Sequence, residues 1–427
     1  MGTILIKKGR LVDPANKIDK VADILIRDDK IEKVADEIKC EADEIIDASG
    51  LAVMPGFIDL HVHLREPGFE YKETIATGTK AAARGGVTSI CPMPNTKPVI
   101  DSPEMVKELL ERSKDAPVHV LPVGAVTIGQ EGKELADIEG MKEAGIVALS
   151  EDGKSVMDSL LFREALHEAA RLDIPMFSHC EDKALVNGGV MNAGAKADEL
   201  GLPGITNSVE DVIVARDIIM TKEAGARLHL CHCSTADSVT LVEMAHKQGL
   251  KVTAEVCPHH FTMSDDEITE DDGRFKMNPP LRSKEDVAAL KEGLKNGIME
   301  VISTDHAPHG AEEKAQSMKK APFGIVGLET SFAIGYTELV QKGILTLSQL
   351  VEKMSVNPAK VIGIDKGNLA EGKKADIAIA DISTEYKIDS SKFASKGHNT
   401  PFDGKKVTGK VLLTITDGKI VYRSENK

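Results

Sequence analysis

Two histidines at the end of one apolar run have the residue type and the spacing of a zinc site. His61 and His63 lie in the run FIDLHVHL and are separated by a single residue. Because successive side chains of a strand point to opposite faces, both imidazoles would face the same side, where their nitrogens can bind one zinc ion. Two hydrogen-bonded histidines would produce the same pattern, so the pair alone does not decide between these interpretations.

Four further groups that bind metals follow apolar runs elsewhere in the chain. His179 follows PMFS, His232 follows RLHLC, Asp305 follows MEVIST and Asp152 follows GIVALSE. Any one of them could be a hydrogen-bonded histidine or a carboxylate that caps a helix. Together with the first pair they offer six nitrogen or oxygen ligands, which is more than one zinc ion needs. The set predicts two metal ions that share a bridging ligand.

These groups converge only if the runs that carry them are parallel strands of one barrel. After Pro55, eight strand-like runs alternate with amphipathic segments such as SPEMVKELLERSKD, and this alternation is typical of a (β/α)8 TIM barrel. Catalytic groups of such barrels stand at the carboxyl ends of the strands. We therefore predict an α/β protein in which residues 55–365 form a metal-dependent catalytic barrel.

The two ends of the chain have a different pattern. Residues 1–54 have the pattern of short strands with turns, and strand character returns after residue 366 in KKADIAIADI and GKVLLTITDGKIVYR. The second of these contains an Asp-Gly turn between two alternating runs, which is a hairpin signal. We predict that residues 1–54 and 366–427 pair into one small β-sandwich domain that is discontinuous in sequence.

Composition excludes several classes of function. The formal net charge of -15 would repel a phosphate backbone, so nucleic acid is not an expected partner. No stretch reaches about 18 apolar residues and the first residues do not resemble a signal peptide, so we expect no membrane contact and a cytoplasmic location. Six cysteines are too few for a disulfide framework, and Cys231 and Cys233 are predicted to be buried structural thiols.

Eight motifs follow one another between Asp59 and Thr330. They are DLHVHLREPG, PMPNTKP, SEDGKSV, SHCED, CHCST, MNPPLRS, STDHAPH and PFGIVGLET. As a set they resemble the dihydroorotases of the bacterial monofunctional type, within the amidohydrolase superfamily, and the β segments at both ends fit the small domain of that family. The resemblance implies reversible interconversion of N-carbamoyl-L-aspartate and (S)-dihydroorotate plus water, the third step of pyrimidine synthesis.

The resemblance also implies a metal role for each of the six ligands. It assigns one zinc ion to His61, His63 and Asp305, the other to His179 and His232, and the bridging position to Asp152. Many relatives bridge the metals with a carboxylated lysine, whereas SEDG matches the branch that uses aspartate, with Lys154 as the rival. Zinc would lower the pKa of its bound water to about 7 and so supply a hydroxide nucleophile. Asp305 would carry the proton to the departing ring nitrogen.

Contacts with the substrate are implied for a second set of residues. These are His63, Arg65, Asn95, Asn278, His309 and the backbone of Phe323 and Gly324. The guanidinium of Arg65 can bind the carboxylate of dihydroorotate through two hydrogen bonds, while Asn95 and Asn278 can bind that carboxylate or the ring amides. From sequence alone, Arg65 is equally compatible with a surface salt bridge.

Two remaining segments have weaker patterns. His259 and His260 precede the acidic stretch DDEITEDDGR and are predicted to be loop or barrel-rim residues, with the acidic stretch a solvated face. Residues 310–322, GAEEKAQSMKKAP, are polar and are either a mobile lid over the site or a static surface loop.

Three other functions share part of this pattern. Allantoinases and hydantoinases share the barrel, the metals and the His-x-His strand, but Arg65, PMPNTKP and the lack of a clear bridging lysine favour dihydroorotase. A catalytically dead scaffold for aspartate transcarbamoylase would have no physical need for six converging ligands. The sequence leaves open the oligomeric state, including a homo-oligomer, the metal used in the cell, and binding to aspartate transcarbamoylase.

Overall fold

Runs rich in β-branched residues form the strands of the computed structural model, which describes residues 2–425. Such side chains pack well on a pleated, partly buried surface. The strands are β1 (Thr3–Asp13), β2 (Ile18–Arg27), β3 (Lys30–Ala35), β4 (Glu44–Asp47), β5 (Ala52–Pro55), β6 (Phe57–Val62), β7 (Val87–Pro92), β8 (His119–Val120), β9 (Val123–Ala125), β10 (Ala148–Ser150), β11 (Met176–Ser178), β12 (Met191–Asn192), β13 (Gly204–Ile205), β14 (Leu228–Leu230), β15 (Val252–Val256), β16 (Val301–Ile302), β17 (Ile377–Lys387), β18 (Lys406–Thr416) and β19 (Lys419–Arg423).

Several helices begin at a side chain that accepts a hydrogen bond from the first turn. Thr74, Ser102 and Asp158 do so and thereby satisfy amide groups that have no partner within the helix. The helices are α1 (Ile75–Arg84), α2 (Pro103–Arg112), α3 (Ile138–Ala144), α4 (Ser159–Arg171), α5 (Lys183–Val186), α6 (Ala195–Leu200), α7 (Ser208–Ala224), α8 (Ala236–Lys247), α9 (Pro258–Thr262), α10 (Lys284–Lys295), α11 (Ala311–Lys314), α12 (Ser331–Gly335), α13 (Leu347–Val351) and α14 (Asn357–Ile362). Short 3-10 turns are Pro14–Asn16, Ile128–Gln130, Asp265–Glu267, Gly273–Phe275 and Ser390–Lys392, and π turns are Tyr336–Val340 and Glu352–Val356.

Strands from both ends of the chain pair in one sheet, which we call the terminal sheet. Its order is β19-β18-β17-β5-β1-β2-β3, and β4 pairs with β1 outside this path. Hydrogen bonds join all eight strands of this sheet. The reason is that β1 pairs with β4 through residues 4–7 and with β5 through Arg10 and Leu11. Ile6, Ile24 and Ile377 belong to its apolar core.

The strands between these ends are parallel and alternate with helices. β6, β7 and β8 pair in order, and β9, β10, β11, β14, β15 and β16 pair in order. Only Leu121 and Pro122 separate β8 from β9. A parallel bridge between Val62 and His306 joins the end of β6 to the segment that follows β16. The carboxyl ends of these strands therefore face one side, which we call the strand-end face.

Apolar side chains pack on both sides of the parallel strands. Leu60, Phe177 and Val301 belong to an inner cluster, while Leu166 and Val214 of the helices belong to the outer one. Among residues 2–425, no helix is both long enough and apolar enough to cross a membrane.

Asp376 lies where the terminal sheet meets the start of β8. One of its oxygens accepts the backbone N–H of Asp417 at 2.9 Å, and the other pairs with Lys366 and lies 3.6 Å from Nε2 of His119. Burial alone would raise the pKa of Asp376, but His119 and Lys366 hold it at about 2. The carboxylate is therefore charged over the whole neutral range.

Candidate metal centre and substrate site

Six side chains with metal-binding atoms meet at the strand-end face. Each lies in a parallel strand or within three residues after one, which places side chains of distant sequence segments around one point. They are His61 in β6, Asp152 after β10, His179 after β11, His232 after β14, Asp305 after β16, and His63 just beyond β6. All six are buried. The structure therefore brings together every residue that the sequence nominated as a metal ligand.

Asp152 lies between the histidines. Its Oδ1 is 3.1 Å from His61 Nε2, 3.4 Å from His179 Nδ1 and 3.8 Å from His232 Nε2. Its Oδ2 faces the other way and is 3.5 Å from His63 Nε2. A carboxylate in this position presents an oxygen to each of two neighbouring ligand groups, which is the geometry that a bridging ligand requires.

Asp305 forms the second group with the first histidine pair. Its Oδ1 is 3.2 Å from His63 Nε2 and 3.6 Å from His61 Nε2. One ligand atom from each of these three residues lies within 4.8 Å of the others. The same holds for His61, Asp152 and His232, so His61 belongs to both groups.

The positions of the ring nitrogens in the centre suit bound cations better than they suit hydrogen bonds between the side chains. Nε2 of His61 and Nε2 of His179 are buried without a hydrogen-bond partner, although a buried polar atom normally has one. Nδ1 of His179 lies 2.9 Å from Nε2 of His232. Ligands at about 2.0–2.1 Å from a tetrahedral zinc ion lie roughly 3.3 Å apart, which is close to the spacings seen here.

The electrostatics of the centre favour a positive charge. Burial alone would raise the pKa of Asp152, but His61, His179 and His232 hold it well below its usual range. Burial alone would lower the pKa of His179, yet Asp152 and Glu181 raise it to about 10. Without a metal, the carboxylates therefore favour the protonated forms of His61 and His179, and a bound cation would take the place of that charge.

Glu255 forms hydrogen bonds with two residues of the centre, and sequence reasoning did not identify it. Its Oε1 accepts Nδ1–H of His61 at 3.1 Å and the backbone N–H of His232 at 3.2 Å, while its Oε2 lies 3.1 Å from Nε2 of His229. Burial alone would raise the pKa of Glu255, but His229 and His61 hold it well below its usual range. A hydrogen bond to Nδ1 leaves the Nε2 lone pair of His61 free to bind a metal. The only signal in the sequence was an acidic residue inside the apolar run KVTAEVCP.

Three residues of the site have backbone angles that non-glycine residues rarely adopt. The φ angles are +61° at Arg65, +35° at His232 and +48° at Asp305. Asp59 fixes the backbone directly before one of them, Asp305, because its Oδ1 accepts the N–H of Thr304 at 3.2 Å and that of His61 at 3.1 Å. Left-handed residues of this kind persist only where the surrounding contacts fix them, and they concentrate at functional sites.

Arg65 and His309 form one wall beside the centre. Arg65 donates from Nε to the carbonyl of Pro308 at 3.2 Å, and its Nη2 lies 3.3 Å from Nε2 of His309. His309 donates from Nε2 to the carbonyl of Phe323 at 2.7 Å and accepts from Lys72 at Nδ1. Burial, together with Arg65 and Lys72, lowers the pKa of His309 to about 2, so this imidazole is neutral. The guanidinium is therefore held by uncharged groups and keeps its positive charge available.

Asn95 links the two metal groups. Its Oδ1 accepts from Nδ1 of His63 at 3.0 Å, and its Nδ2 donates to Oδ2 of Asp152 at 3.0 Å. Asn278 donates from Nδ2 to Glu181, which itself lies 3.8 Å from His179. Both amides are half-buried and are positioned beside the six candidate ligands, directly for Asn95 and through Glu181 for Asn278.

Gly324 lies where only glycine fits. Its φ angle is +135°, and an added Cβ would come within 2.8 Å of the carbonyl oxygen of Ala307 and 3.0 Å of Nε2 of His309. Its neighbour Phe323 is half-buried and packs against Lys276, whose Nζ is 4.3 Å from the ring centroid. The tight contact keeps the backbone of this segment against the wall formed by His309.

Two segments near the site are held by specific contacts. Lys154, the rival bridge, is exposed and donates to the carbonyl of Gln130 at 2.8 Å, so the structure does not bring it to the centre. In residues 310–322, Lys314 is buried and donates to the carbonyls of Lys276, Pro322 and Gly324. This polar segment is therefore fixed against the wall of the site in the described structure, while the sequence left a lid and a static loop open.

The sequence predicted loop or barrel-rim positions for His259 and His260, and the structure places both in a helix and not in a loop. They lie in α9, directly after β15, and are only 2% and 1% exposed, because the helix turns inward against the segment that contains Pro279. The prediction for the cysteines is confirmed, since Cys231 and Cys233 are free and buried.

Comparisons with known proteins indicate the family of this chain. A model of the family described as Dihydro-orotase-like matches residues 50–238. The chain is 48% identical over 423 residues to a protein named dihydroorotase from Bacillus cereus, with 99% of both chains covered. A dihydroorotase from Bacillus thuringiensis matches with the same identity and coverage.

Solved structures of related enzymes have the same overall fold. The L-hydantoinase (dihydropyrimidinase) of Arthrobacter aurescens has a TM-score of 0.90 at 30% identity, with 99% of this chain and 96% of that chain covered. The dihydropyrimidinase of Brevibacillus agri has a TM-score of 0.86 at 27% identity, with 99% and 95% covered.

Proposed function

The chain belongs to the dihydroorotase family, and from that premise we propose how its converging side chains serve the reaction. It is a cyclic amide hydrolase that interconverts N-carbamoyl-L-aspartate and (S)-dihydroorotate plus water. The position of Asp152 carries the proposal, because one of its oxygens lies within 3.8 Å of three imidazole nitrogens and the other faces His63. Such an arrangement supports a centre with two metal ions.

The residues of the centre fall into two groups. His61, His63 and Asp305 would hold one zinc ion, His179 and His232 would hold a second, and Asp152 would be the ligand shared between them, with two ions per chain. When bound, the ions supply a nucleophilic water at neutral pH and polarise the amide carbonyl. The absence of Lys154 from this centre in the described structure supports aspartate as the bridge.

Asp305 is the proton carrier in this proposal. Burial alone would raise the pKa of Asp305, but His63 and His61 lower it, so the group is a carboxylate that can accept a proton. The backbone of Asp305 is left-handed, and its Oδ1 lies 3.2 Å from Nε2 of His63. In the hydrolytic direction Asp305 takes the proton from the attacking water and delivers it to the departing ring nitrogen.

The neighbouring wall binds and orients the substrate. Arg65 binds the carboxylate of dihydroorotate, because its guanidinium is half-buried and forms no salt bridge with a carboxylate of residues 2–425. Asn95 and Asn278 donate to the substrate carboxylate or ring amides, and His63 and His309 line the same space. The backbone groups of Phe323 and Gly324 complete this wall and help to exclude water.

Two architectural proposals accompany the chemistry. The parallel strands within residues 55–365 form a closed (β/α)8 barrel, supported by the bridge between Val62 and His306. Residues 1–54 and 366–427 form a separate small β domain, supported by the pairing of β5 with β17. The cytoplasmic location, self-association and binding to aspartate transcarbamoylase stay predictions of the sequence.

A substrate panel tests the proposed function. The purified protein is incubated separately with N-carbamoyl-L-aspartate, allantoin and hydantoin, and turnover is compared with the metal content of the same sample. We expect turnover of N-carbamoyl-L-aspartate that scales with metal content. Preference for allantoin or hydantoin would contradict the assignment, and full activity with one metal ion or fewer per chain would contradict the two-metal centre.

A further inference from the structure

Three side chains outside the six-ligand centre form a second group of metal-binding atoms. Cys257 follows β15, and His259 and His260 lie in the first turn of α9. One ligand atom from each of them lies within 4.8 Å of the others. Their exposures are 0%, 2% and 1%, so solvent does not surround these atoms. We call these three residues the Cys257 cluster.

The hydrogen bonds of the cluster leave two ring nitrogens without a partner. Nε2 of His260 lies 2.9 Å from the carbonyl oxygen of Pro279, which can only accept, so Nε2 carries the proton and Nδ1 carries a lone pair. That Nδ1 has no partner, and neither has Nε2 of His259. Leaving a buried polar atom unsatisfied costs about 1–3 kcal/mol, and the cluster contains two such atoms. The two unpaired nitrogens therefore indicate that an ion or a molecule is bound at this cluster.

We propose that Cys257, His259 and His260 bind a third metal ion, a divalent cation of the borderline-soft class that zinc represents. A cysteine and two histidines are ligands that such ions prefer, and three protein ligands leave a fourth position for water. Binding releases the thiol proton of Cys257 to solvent, so the sulfur binds as a thiolate. The hydrogen bond from His260 to Pro279 is the outer contact that fixes the tautomer of a metal-binding histidine.

This ion would have a structural role distinct from the two ions of the centre. The cluster shares no residue with the six ligands, and its outer contact is made to Pro279, directly after Asn278. A bound ion would therefore fix α9 against the segment that carries Asn278. The proposal does not depend on the proposed reaction, because it concerns ligands that the reaction does not use.

The alternative occupant is a water molecule. A buried water commonly bridges unsatisfied polar atoms, and it would also accept a hydrogen bond from the thiol of Cys257. The two occupants differ in one observable, because only a metal ion forms a bond to sulfur. The experiment therefore has to detect a metal-thiolate bond.

Cobalt(II) provides that readout. The full-length protein is stripped of metal and reloaded with Co²⁺, and its near-ultraviolet spectrum and bound equivalents are recorded. The six ligands of the centre are nitrogen and oxygen atoms only, so a thiolate-to-cobalt charge-transfer band reports a cysteine ligand. We expect the band and three equivalents in the wild-type protein, and no band with two equivalents in Cys257→Ser.

Cys231→Ser is the matched control, because Cys231 is also buried and its sulfur lies near His61 and Glu255. The control should keep the band and all three equivalents. Loss of the band in Cys231→Ser, or its persistence in Cys257→Ser, would overturn the proposal. A wild-type protein with two equivalents and no band would overturn it without any variant and would leave the proposed two-metal centre intact, whereas fewer than two equivalents would refute both.

His260→Gln keeps the test decisive if Cys257→Ser does not fold. Glutamine can still donate to the carbonyl of Pro279 but offers no imidazole. We expect the affinity for the third Co²⁺ to fall by at least about tenfold in competition with a chelator, since even outer contacts of a metal site are worth 10- to 100-fold. An unchanged affinity for all three equivalents would refute the cluster as the site.

Discussion

Replacing Glu255 should weaken metal binding although Glu255 is not a proposed ligand of the two-metal centre. In Glu255→Gln, one side-chain oxygen becomes an NH₂ group that cannot accept a hydrogen bond. The amide can turn its NH₂ toward Nε2 of His229 if His229 carries its proton on Nδ1 instead. The hydroxyl of Thr253, 2.8 Å from that Nδ1, permits this tautomer because it can accept as well as donate. The remaining oxygen then still serves His61 and the N–H of His232. What is lost is the negative charge.

The expected magnitude follows from this geometry. A hydrogen bond to a charged group contributes about 1.5–3 kcal/mol, and its neutral counterpart contributes about 0.5–1.5 kcal/mol. Glu255→Gln should therefore reduce metal affinity and kcat/KM by roughly tenfold. Glu255→Ala removes all three contacts and should reduce both by about 100-fold, the upper end of the range for outer contacts of metal sites.

The assay is competition for Zn²⁺ with a chelator, followed by kcat/KM at saturating metal. Glu300→Gln is the control, because Glu300 also pairs with a histidine, His246, and accepts the N–H of Ala254, but it touches none of the six ligands. It should leave metal affinity unchanged. The reasoning is refuted if Glu255→Ala, with an unchanged fold by circular dichroism, keeps wild-type metal affinity.

Further predictions test the centre, the proton carrier, the substrate contact and the domain junction. Asp152→Ala should abolish turnover and metal retention, whereas Lys154→Ala should leave kcat/KM within about twofold, since an exposed side chain away from the site contributes little. Asp305→Asn should lower kcat by about 10² to 10⁴ in stopped assays of samples whose metal content is measured, and near wild-type turnover at full metal content would exclude it as proton carrier. Arg65→Met should lower kcat/KM for dihydroorotate by roughly 10- to 150-fold but leave residual activity on dihydrouracil, which has no carboxylate; equal losses would indicate a structural role. Asp376→Asn should lower the free energy of unfolding by about 2 kcal/mol at pH 7, because the pKa of Asp376 is lower in the folded state than in the unfolded state. The difference in stability between wild type and variant should shrink as pH falls from about 4 toward 2. A difference that does not depend on pH would contradict this prediction.

The convergence of the six candidate ligands could be predicted because each lies at or just after the end of a short apolar run with the pattern of a strand. The direction of parallel strands then places their ends on one face, and no further information is needed to expect convergence. The eight runs do contain the parallel strands of the structure. The motifs between Asp59 and Thr330 supplied the family, which the comparisons confirm.

Residues that act through others could not be found in this way. Glu255 looks like one polar residue in an apolar strand, and its role depends on His61 and His229, which come from two other strands. His259 and His260 precede a polar stretch, which favoured a loop or the barrel rim, and their burial depends on the short helix after β15. Lys314 lies in a polar segment, and only the three carbonyls around its ammonium make burial of that charge tolerable.

The hydrogen bond from the N–H of His63 to the carbonyl of His306, at 2.8 Å, has a consequence for how the protein matures. It joins the end of the first parallel strand to the segment after the last one, across more than half of the chain. His63 is itself a proposed metal ligand, and His306 directly follows another, Asp305. During synthesis, a chain that ends before Thr304 has five of the six ligands but lacks the segment that completes the ring. Such a nascent chain lacks the proposed proton carrier Asp305, so we expect premature products to have no hydrolytic activity even if the ligands made earlier bind a metal ion.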